Sequence, residues 1–298
     1  MAKCDFDPSP YLVDGSQPFR ITEAPTLIDP LCPEKKADKH LQTIREEIDE
    51  LQQMMYAHDR YAMLCIFQAM DAAGKDGAIR AVFSGVNPHG LEIYAFKTPS
   101  PEELDHTFFW RTDKAMPPRG RIGIFNRSYY EEVLIARVHP EIVTRSQRLP
   151  EDVTNTLETL WEQRFETIRA LERNHHLNGT RIHKFYLHLS PEEQRRRFIS
   201  RIDDPSKNWK FNEGDVKERQ LWPRYMDAYE DAINHTATPD SPWHVIPADD
   251  KKTARLLIAT IVRDALKGLP IAYPKLSEAA LAQLKASREL LHNEPDVA

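Results

Sequence analysis

The chain has 298 residues, of which 41% are hydrophobic and 29% charged, and its formal net charge is −6. This length suits one large domain or two small ones, and the acidic balance gives no reason to expect nucleic acid or an acidic membrane as a partner. An anionic ligand therefore needs a local basic patch.

The start of the sequence and its apolar runs bear on location. The first residues, MAKCDFDPSPYLVDG, contain no apolar segment followed by a cleavage site, and no apolar run reaches the roughly 18 residues of a membrane span. We therefore expect a soluble, cytoplasmic protein. Cys4, Cys32 and Cys65 are widely spaced and fit neither a metal site nor a disulfide framework, and Cys65 is expected to be an inert core thiol.

Apolar and polar residues then alternate in a pattern typical of α/β proteins. Residues 1–36 have no clear period and predict an extended arm that packs on the body or on a neighbouring subunit. Short apolar or alternating runs predict five strands, at residues 62–67, 91–96, 121–125, 181–189 and 243–248. Helical patterns cover residues 37–59, 77–86, 101–112, 128–138, 151–174, the stretch from 191, 251–267 and 276–292.

This order of elements predicts the fold class and the domain organisation. Strands that alternate with helices indicate a five-stranded parallel sheet with helices on both faces. We expect one domain over residues 37–270, with a helical lid at about 191–220 whose polar segment 203–215 is mobile. Residues 271–298 are expected to form a C-terminal helical segment.

The stretch QAMDAAGKDGAIR, residues 68–80, resembles the phosphate-binding loop G-x-x-x-x-G-K-[ST]. Ala69 replaces the first glycine, and Asp76 replaces the Ser or Thr. Gly74, Lys75 and Gly77 are kept between a predicted strand and a predicted helix, which is the context that the motif requires. The start of that helix and its backbone N–H groups would face an anion, so a phosphate site is favoured over a surface turn.

Two carboxylates in this loop need a cation, because carboxylates repel phosphate. Asp71 and Asp76 are ligands of the kind that Mg²⁺ prefers, together with water and phosphate oxygens. The alternative for Asp76 is that it caps the following helix.

A second polar group follows the third predicted strand, in FNRSYYEEVLIARVHP. Asn126 stands where a kinase often has a metal-binding acid, and Arg127 and Glu131 follow it. Residues 111–148 contain eight Lys or Arg against four Asp or Glu, which makes this stretch locally basic. The predicted lid adds further cations, which either clamp phosphates or form a solvated helix face paired with Glu192 and Glu193: Arg195, Arg196, Arg197, Arg201 and Lys207.

Three motifs, MDAAGKDG, FNRSYYEEVLIARVHP and EEQRRRFISRIDDPSKNWK, resemble the polyphosphate kinase 2 family over roughly residues 40–270. FNRS with the following YEEV resembles the class III branch, since most members of the other branches carry Asp in place of Asn126. The resemblance implies a P-loop kinase fold related to thymidylate kinase. It also implies reversible phosphoryl transfer between inorganic polyphosphate and AMP, ADP or guanine nucleotides, Mg²⁺ or Mn²⁺ as cofactor, and a homo-oligomer, dimer or tetramer.

The resemblance and the residue chemistry together give the expected site. The expected catalytic residues are Asp71, Lys75, Arg127 and Glu131, and the expected metal ligands are Asp71, Asn126 and Glu131. Nucleotide is expected at Asp71, Asn126, Arg127 and Arg137. Polyphosphate is expected at Ala73, Gly74, Lys75, Asp76, Gly77, Arg80, Arg195, Arg196, Arg197, Arg201 and Lys207.

Two other functions stay open at this point. An ATP-dependent nucleoside or nucleotide kinase shares the fold, although the missing Ser or Thr and the lid cations disfavour it. A non-catalytic P-loop protein that only binds phosphate would explain Ala69, Asp76 and Asn126. The retained Lys75 and Arg127 disfavour that second alternative.

Overall fold

The computed structural model of the chain describes Cys4 and residues 6–294. Its centre is one six-stranded sheet with the strand order β1-β6-β5-β2-β4-β3. The strands are β1 (Leu12–Val13), β2 (Ala62–Gln68), β3 (Leu91–Ala95), β4 (Ile122–Asn126), β5 (Thr180–His188) and β6 (Trp243–Pro247).

Helices cover both faces of this sheet. They are α1 (Glu34–His58), α2 (Lys75–Phe83), α3 (Pro101–Leu104), α4 (Trp110–Asp113), α5 (Ile135–Val138), α6 (Glu151–Thr154), α7 (Leu157–Leu177), α8 (Pro191–Asp203), α9 (Glu213–Glu218), α10 (Trp222–Thr236), α11 (Lys251–Lys267) and α12 (Glu278–His292). Short 3₁₀ turns lie between several of them, including one at Tyr129–Val133.

The sheet corrects one prediction in part. The five predicted strands are present, and they run parallel to one another. The sixth strand, β1, comes from the N-terminal arm and pairs antiparallel with β6, so the sheet is mixed rather than purely parallel. A two-residue strand has too few positions to show a hydrophobic period, which is why the sequence did not reveal it.

Three predicted helices are broken in the structure. Residues 101–112 form α3 and α4, and residues 151–174 form α6 followed by α7. Residues 128–138 form the 3₁₀ turn Tyr129–Val133 and then α5, because Leu134 has φ −108° and ψ −88°, outside the helical region. Apolar spacing alone does not report such a break.

The core lies in two layers, one on each face of the sheet. All seven residues of β2 are buried, as expected for the central strand of a parallel sheet. On one face α1, α2 and α11 pack on the sheet, and on the other face α7 and α10 do. The burial of β2 fixes the position of the loop that follows it.

The cysteines give a second correction. Cys4 and Cys32 form a disulfide with a Cα–Cα distance of 4.8 Å, which joins the two ends of the arm. Their wide spacing in sequence concealed the pair, because the arm folds back on itself. Cys65 is a buried free thiol, as predicted, and burial raises its pKa. Among the residues that the structure describes, no helix is long and apolar enough to cross a membrane.

Candidate active site

The loop of residues 69–74 leaves the carboxyl end of β2, beside the end of β4. Phe67 lies opposite Asn126 in the parallel register, and the Arg127 N–H donates to the Phe67 carbonyl at 3.0 Å. The two strands therefore end at the same level. This brings the phosphate-loop motif and the Asn126–Arg127 pair together, as the sequence predicted.

The loop has the conformation of an anion-binding turn. Gly74 has φ +102°, which a residue with a side chain seldom adopts, and Ala72 has φ +64°. α2 begins at Lys75, and the Ala78 N–H donates to the Gly74 carbonyl at 2.9 Å. The first N–H groups of α2 are thus directed at the space in front of the loop, where they favour an anion. Gly74, not Asp76, is the helix cap, so the capping alternative for Asp76 is wrong.

The four predicted catalytic side chains lie together. Arg127 Nη2 donates to Asp71 Oδ1 at 2.9 Å, and Lys75 Nζ donates to the Ala69 carbonyl at 2.8 Å. Burial and the neighbouring Arg127 lower the pKa of Lys75, against the opposing effect of Asp71 and Glu131. Burial raises the pKa of Glu131, although Arg127 and Lys75 act in the other direction. The four charges are thus close enough to affect one another's protonation.

Amide side chains hold two of the carboxylates. With its amide oriented so that both polar atoms are satisfied, Gln68 donates from Nε2 to Glu131 Oε1 at 2.8 Å. Asn126 Nδ2 donates to Asp76 Oδ1 at 2.6 Å. The Asn126 oxygen is therefore the atom of that side chain left to face a cation.

A cleft of about 570 Å³ opens on the side of the loop that faces β3 and β4. Its lining mixes charges of both signs with two aromatic rings, Phe96 and Trp209. The basic side chains in its wall are Lys75, Lys97, Arg127 and Arg201, and the acidic ones are Asp71, Asp76 and Asp215. This balance suits a ligand that carries both phosphates and an aromatic ring.

A second cleft, of about 390 Å³, lies on the other side of the same loop, between α8 and α11. It shares Ala72, Ala73, Gly74, Gly77 and Arg201 with the first cleft. Its lining has a single acidic side chain, Glu193, against six basic ones. Those are Arg196, Arg197, Arg201, Lys207, Lys251 and Arg255.

Arg197 has a different setting from the arginines beside it. Its side chain is 7% exposed, against 56% for Arg195 and 68% for Arg196. All three of its nitrogens donate within the protein, at 2.6 to 3.1 Å. The acceptors are Glu193 Oε1 and the carbonyls of Ala72, Ala73, Ala248 and Asp249. Arg197 therefore fastens α8 to the phosphate loop.

Three predicted site residues lie outside both clefts and outside the small cavity that adjoins the larger one. Arg80 is exposed in the last turn of α2. Arg195 donates to both carboxylate oxygens of Glu192, at 3.1 and 2.7 Å, on the outer face of α8. Arg137 pairs with Asp231 on α10. The described linings of the two clefts do not include these side chains.

Other residues of the clefts were missed. Lys251 and Arg255 are one turn apart on α11, which begins just after β6. The carboxyl ends of parallel strands meet at one edge, so basic residues that follow the last strand were a usable signal. Lys97, which follows β3, could have been found by the same reasoning, and so could Phe96.

The residues in the larger cleft fit a divalent cation held partly by substrate. Among the described residues, no three His, Cys, Asp or Glu side chains are close enough to hold a metal by themselves. Mg²⁺ usually takes only one or two carboxylates and completes its shell with water and phosphate oxygens. Asp71, Asp76 and Asn126 line the cleft and fit that role. Glu131 lines a smaller cavity of about 40 Å³ next to it, together with Asp71 and Arg127.

The site combines a glycine-bearing loop between a buried strand and a helix with a lysine and an arginine at adjacent strand ends. Together with the arginine-rich helix α8, these features are typical of a phosphotransferase. The sequence matches the Polyphosphate kinase 2 family over residues 32–272. The chain belongs to the polyphosphate kinase 2 family, as its motifs predicted. Kinases of this kind work with a divalent metal, which agrees with the carboxylates of the cleft.

Relatives and a solved structure agree with this assignment. The chain is 51% identical to the "ADP-polyphosphate phosphotransferase" of Rhodopseudomonas palustris, over 90% of this chain and 92% of the relative. It is 41% identical to the "AMP/ADP-polyphosphate phosphotransferase" of Meiothermus ruber, over 80% of this chain and 85% of the relative. The crystal structure of polyphosphate kinase 2 from Arthrobacter aurescens TC1 superposes with a TM-score of 0.83 at 36% identity, covering 95% of this chain and 97% of that one.

Proposed function

We propose that the protein transfers the terminal phosphoryl group of inorganic polyphosphate to AMP and to ADP, reversibly. The observation that carries this proposal is the pair of clefts on either side of the phosphate loop, one strongly basic and one of mixed charge with aromatic walls. They meet at Ala72, Ala73 and Gly74. A donor in one cleft and an acceptor in the other would have their reacting phosphates at the same loop.

The basic cleft is the proposed polyphosphate site. A polyphosphate chain repeats one negative group, so it needs several cations in a row and no recognition of a base. Arg196, Arg201, Lys207, Lys251 and Arg255 supply those cations. An ATP donor would instead need a place for adenine there, and the lining is charged or small rather than aromatic. This supports polyphosphate over ATP as the donor.

The larger cleft is the proposed nucleotide site. Phe96 and Trp209 offer apolar ring faces for a purine, and Lys97, Lys75 and Arg127 offer charge for its phosphates. The names of the relatives from Rhodopseudomonas palustris and Meiothermus ruber include ADP and AMP/ADP respectively. Both names favour adenine nucleotides as acceptors for this chain.

The chemistry then follows from placement and charge. An acceptor phosphate oxygen is already anionic near neutral pH, so the attack needs no general base. Lys75 and Arg127 would neutralise the equatorial oxygens of the phosphoryl group as it passes from polyphosphate to the nucleotide. The N–H groups at the start of α2 would hold the donor end. Mg²⁺, or Mn²⁺, supplies further charge neutralisation when bound, and Asp71, Asn126 and Glu131 are the side chains that would hold it.

Breadth towards AMP and ADP is proposed to come from Glu131. Asn126 offers a carbonyl oxygen without charge, so the negative charge usual at this position has to come from elsewhere. Glu131 is beside Asp71 and Arg127 but set back in the smaller cavity. A carboxylate set back from the strand end leaves room for either terminal phosphate. The alternative is that Glu131 is an exposed helix residue favoured by the helix dipole. That alternative is disfavoured, because Glu131 is half-buried and belongs to the 3₁₀ turn Tyr129–Val133.

Homo-oligomerisation and a cytoplasmic location stay predictions.

Adjacent lysines on α11 allow a matched test of the donor site. Lys251 lines the basic cleft, whereas Lys252 points away from it and donates to Glu34 at 3.1 Å. We expect Lys251→Gln to raise the KM for polyphosphate several-fold, and more at low salt, with the KM for ADP unchanged. Lys252→Gln should alter neither. Equal effects of the two substitutions, or an effect on ADP alone, would contradict the assignment of this cleft.

A further inference from the structure

A buried polar cluster lies beneath the active site and has no part in the chemistry described so far. Its centre is Glu172 of α7, which is 2% exposed, and Lys184 of β5, which is fully buried. Lys184 Nζ donates to Glu172 Oε2 at 2.7 Å and to the Thr236 carbonyl at 2.8 Å. Ser241 Oγ donates to the same Oε2 at 2.8 Å.

The other carboxylate oxygen of Glu172 is bound by two tyrosines of the active-site turn. Tyr129 and Tyr130 both donate through their hydroxyl groups to Oε1, at 2.9 and 2.8 Å. Both rings are buried. These tyrosines begin the 3₁₀ turn Tyr129–Val133, which also carries Glu131, and Arg127 lies two residues before Tyr129.

We propose that Glu172 is a positioning residue for phosphoryl transfer, which holds Arg127 and Glu131 in place through the hydroxyl groups of Tyr129 and Tyr130. The inference rests on the roles proposed above for Arg127 and Glu131. It adds an anchor outside the clefts, which neither the family motifs nor the cleft linings indicate.

The turn needs such an anchor because its backbone does not fix itself. Arg127, two residues before the turn, has φ +65°, in the left-handed region that residues with a side chain seldom adopt. Backbone of this kind is strained and persists only where its surroundings hold it. A hydrogen bond to a charged group is stronger than one between neutral groups, so the two tyrosine bonds to the Glu172 carboxylate favour this conformation.

Stability alone does not account for the cluster. A buried ion pair such as Glu172 with Lys184 is usually no more stabilising than apolar residues of the same volume. Here Oε1 of Glu172 accepts only from the tyrosines of the turn that carries Glu131, whereas Oε2 accepts from Lys184 and Ser241 in the core. A displacement of about 1 Å in a catalytic group can cost roughly 10²-fold in rate, so this anchor bears on turnover.

Donors on the two faces of the same carboxylate separate positioning from stability. Tyr129→Phe and Tyr130→Phe each remove one hydroxyl from Oε1 and keep the ring packed. Ser241→Ala removes one hydroxyl from Oε2 and lies in the turn before β6, away from Arg127 and Glu131. We expect all three to lower the Tm by similar amounts. The tyrosine variants should also lower kcat about tenfold each at temperatures well below Tm, with both KM values within twofold, whereas Ser241→Ala should keep its kcat.

If all three variants lose the same Tm and their kcat values do not differ from one another, the inference is overturned, since Glu172 would then have only a structural role. Glu131→Gln is the comparator for the proposed function. If Glu131→Gln lowers kcat while both tyrosine variants leave it unchanged, the anchor is wrong and the role of Glu131 stands. If the tyrosine variants lower kcat and Glu131→Gln does not, the anchor is supported through Arg127, and the role of Glu131 is wrong.

Discussion

Replacement of Arg197 by Met should damage the fold of the loop rather than the affinity for polyphosphate alone. The side chain is buried, and its guanidinium holds the loop carbonyls of Ala72 and Ala73, the carbonyls of Ala248 and Asp249 after β6, and the Glu193 carboxylate. Met keeps the length of the side chain and removes every donor. Four carbonyls and one carboxylate would then lose a partner in a buried place.

The magnitude follows from that count. Removing one partner of a buried ion pair costs about 3–5 kcal/mol. Glu193 would keep its ion pair with Arg196, and the loss here falls mainly on the four carbonyls that lose their donor. At about 2–4 °C per kcal/mol for a chain of this size, the Tm should fall by roughly 6–20 °C. Arg201→Met is the matched control on the same helix. The Arg201 side chain is 24% exposed, and its nearest carboxylate, Asp215, is 4.0 Å away, so its loss should cost less than about 1 kcal/mol.

Two measurements check this prediction, thermal unfolding followed by circular dichroism and steady-state kinetics with polyphosphate varied at saturating ADP. Arg197→Met should lower Tm and kcat together, since the loop that binds both substrates is displaced. Arg201→Met should keep its Tm and raise the KM for polyphosphate. An unchanged Tm in Arg197→Met, with only a higher KM for polyphosphate, would refute the view that this arginine is a structural link.

Four further predictions follow from the same geometry. Lys75→Ala should keep the fold and lose about 10²–10³-fold in kcat with polyphosphate, and unchanged turnover would exclude a phosphate role for the loop. Glu131→Gln should lower the rate with AMP more than the rate with ADP, and Asn126→Asp should shift the preference between the two acceptors towards ADP. If both rates are the same in the wild type and in these two variants, Glu131 is excluded as a metal ligand. Added salt should raise the KM for polyphosphate more than that for ADP, since a long polyanion meets many cations at once. A larger effect of salt on the KM for ADP would contradict the assignment of polyphosphate to the basic cleft. Burial and neighbouring cations lower the pKa of His183 from 6.5 to about 4. Because the unfolded chain binds the proton at a higher pH than the folded chain does, the free energy of unfolding should fall by up to about 3 kcal/mol as the pH drops from 6.5 towards 4. His183→Asn should flatten that slope, which denaturant unfolding at a series of pH values would measure.

The sequence was sufficient to predict the parallel part of the sheet and the place of the loop. Short apolar runs such as residues 62–67 are buried on both faces, so their pattern is strong, and the loop follows the central one. The arm was different. Leu12 and Val13 pair with the edge of β6. The position of the arm depends on contacts with residues distant in sequence, such as the bonds from the N–H groups of Phe19 and Ile21 to Asn234 and Glu230. Local pattern does not contain that information.

The three consecutive lid arginines show the same limit within one helix. Arg195, Arg196 and Arg197 have the same chemistry, and each is rotated by about 100° from the one before it. Which of them is buried depends on how α8 packs against the loop, where Gln194 also donates to the Asp71 carbonyl at 2.9 Å. Sequence identified the cluster but assigned the same role to all three.

The clefts were predicted only in part for a related reason. Lys251 and Arg255 are distant in sequence from the loop and resemble ordinary residues of an amphipathic helix. They reach the basic cleft because α11 starts at the same edge of the sheet as α2. Predicting them requires the strand order as well as the strand positions, since the order decides which strand ends are neighbours.

The most direct test of the central claim is the product formed from polyphosphate. The protein is incubated with a divalent metal, long-chain polyphosphate and either AMP or ADP, and the nucleotides are separated by chromatography, with Lys75→Ala as the control. We predict ADP and then ATP from AMP, and ATP from ADP, with almost none from the variant. Phosphorylation of a nucleoside by ATP with no use of polyphosphate, or binding of polyphosphate without any ATP formed, would contradict the account.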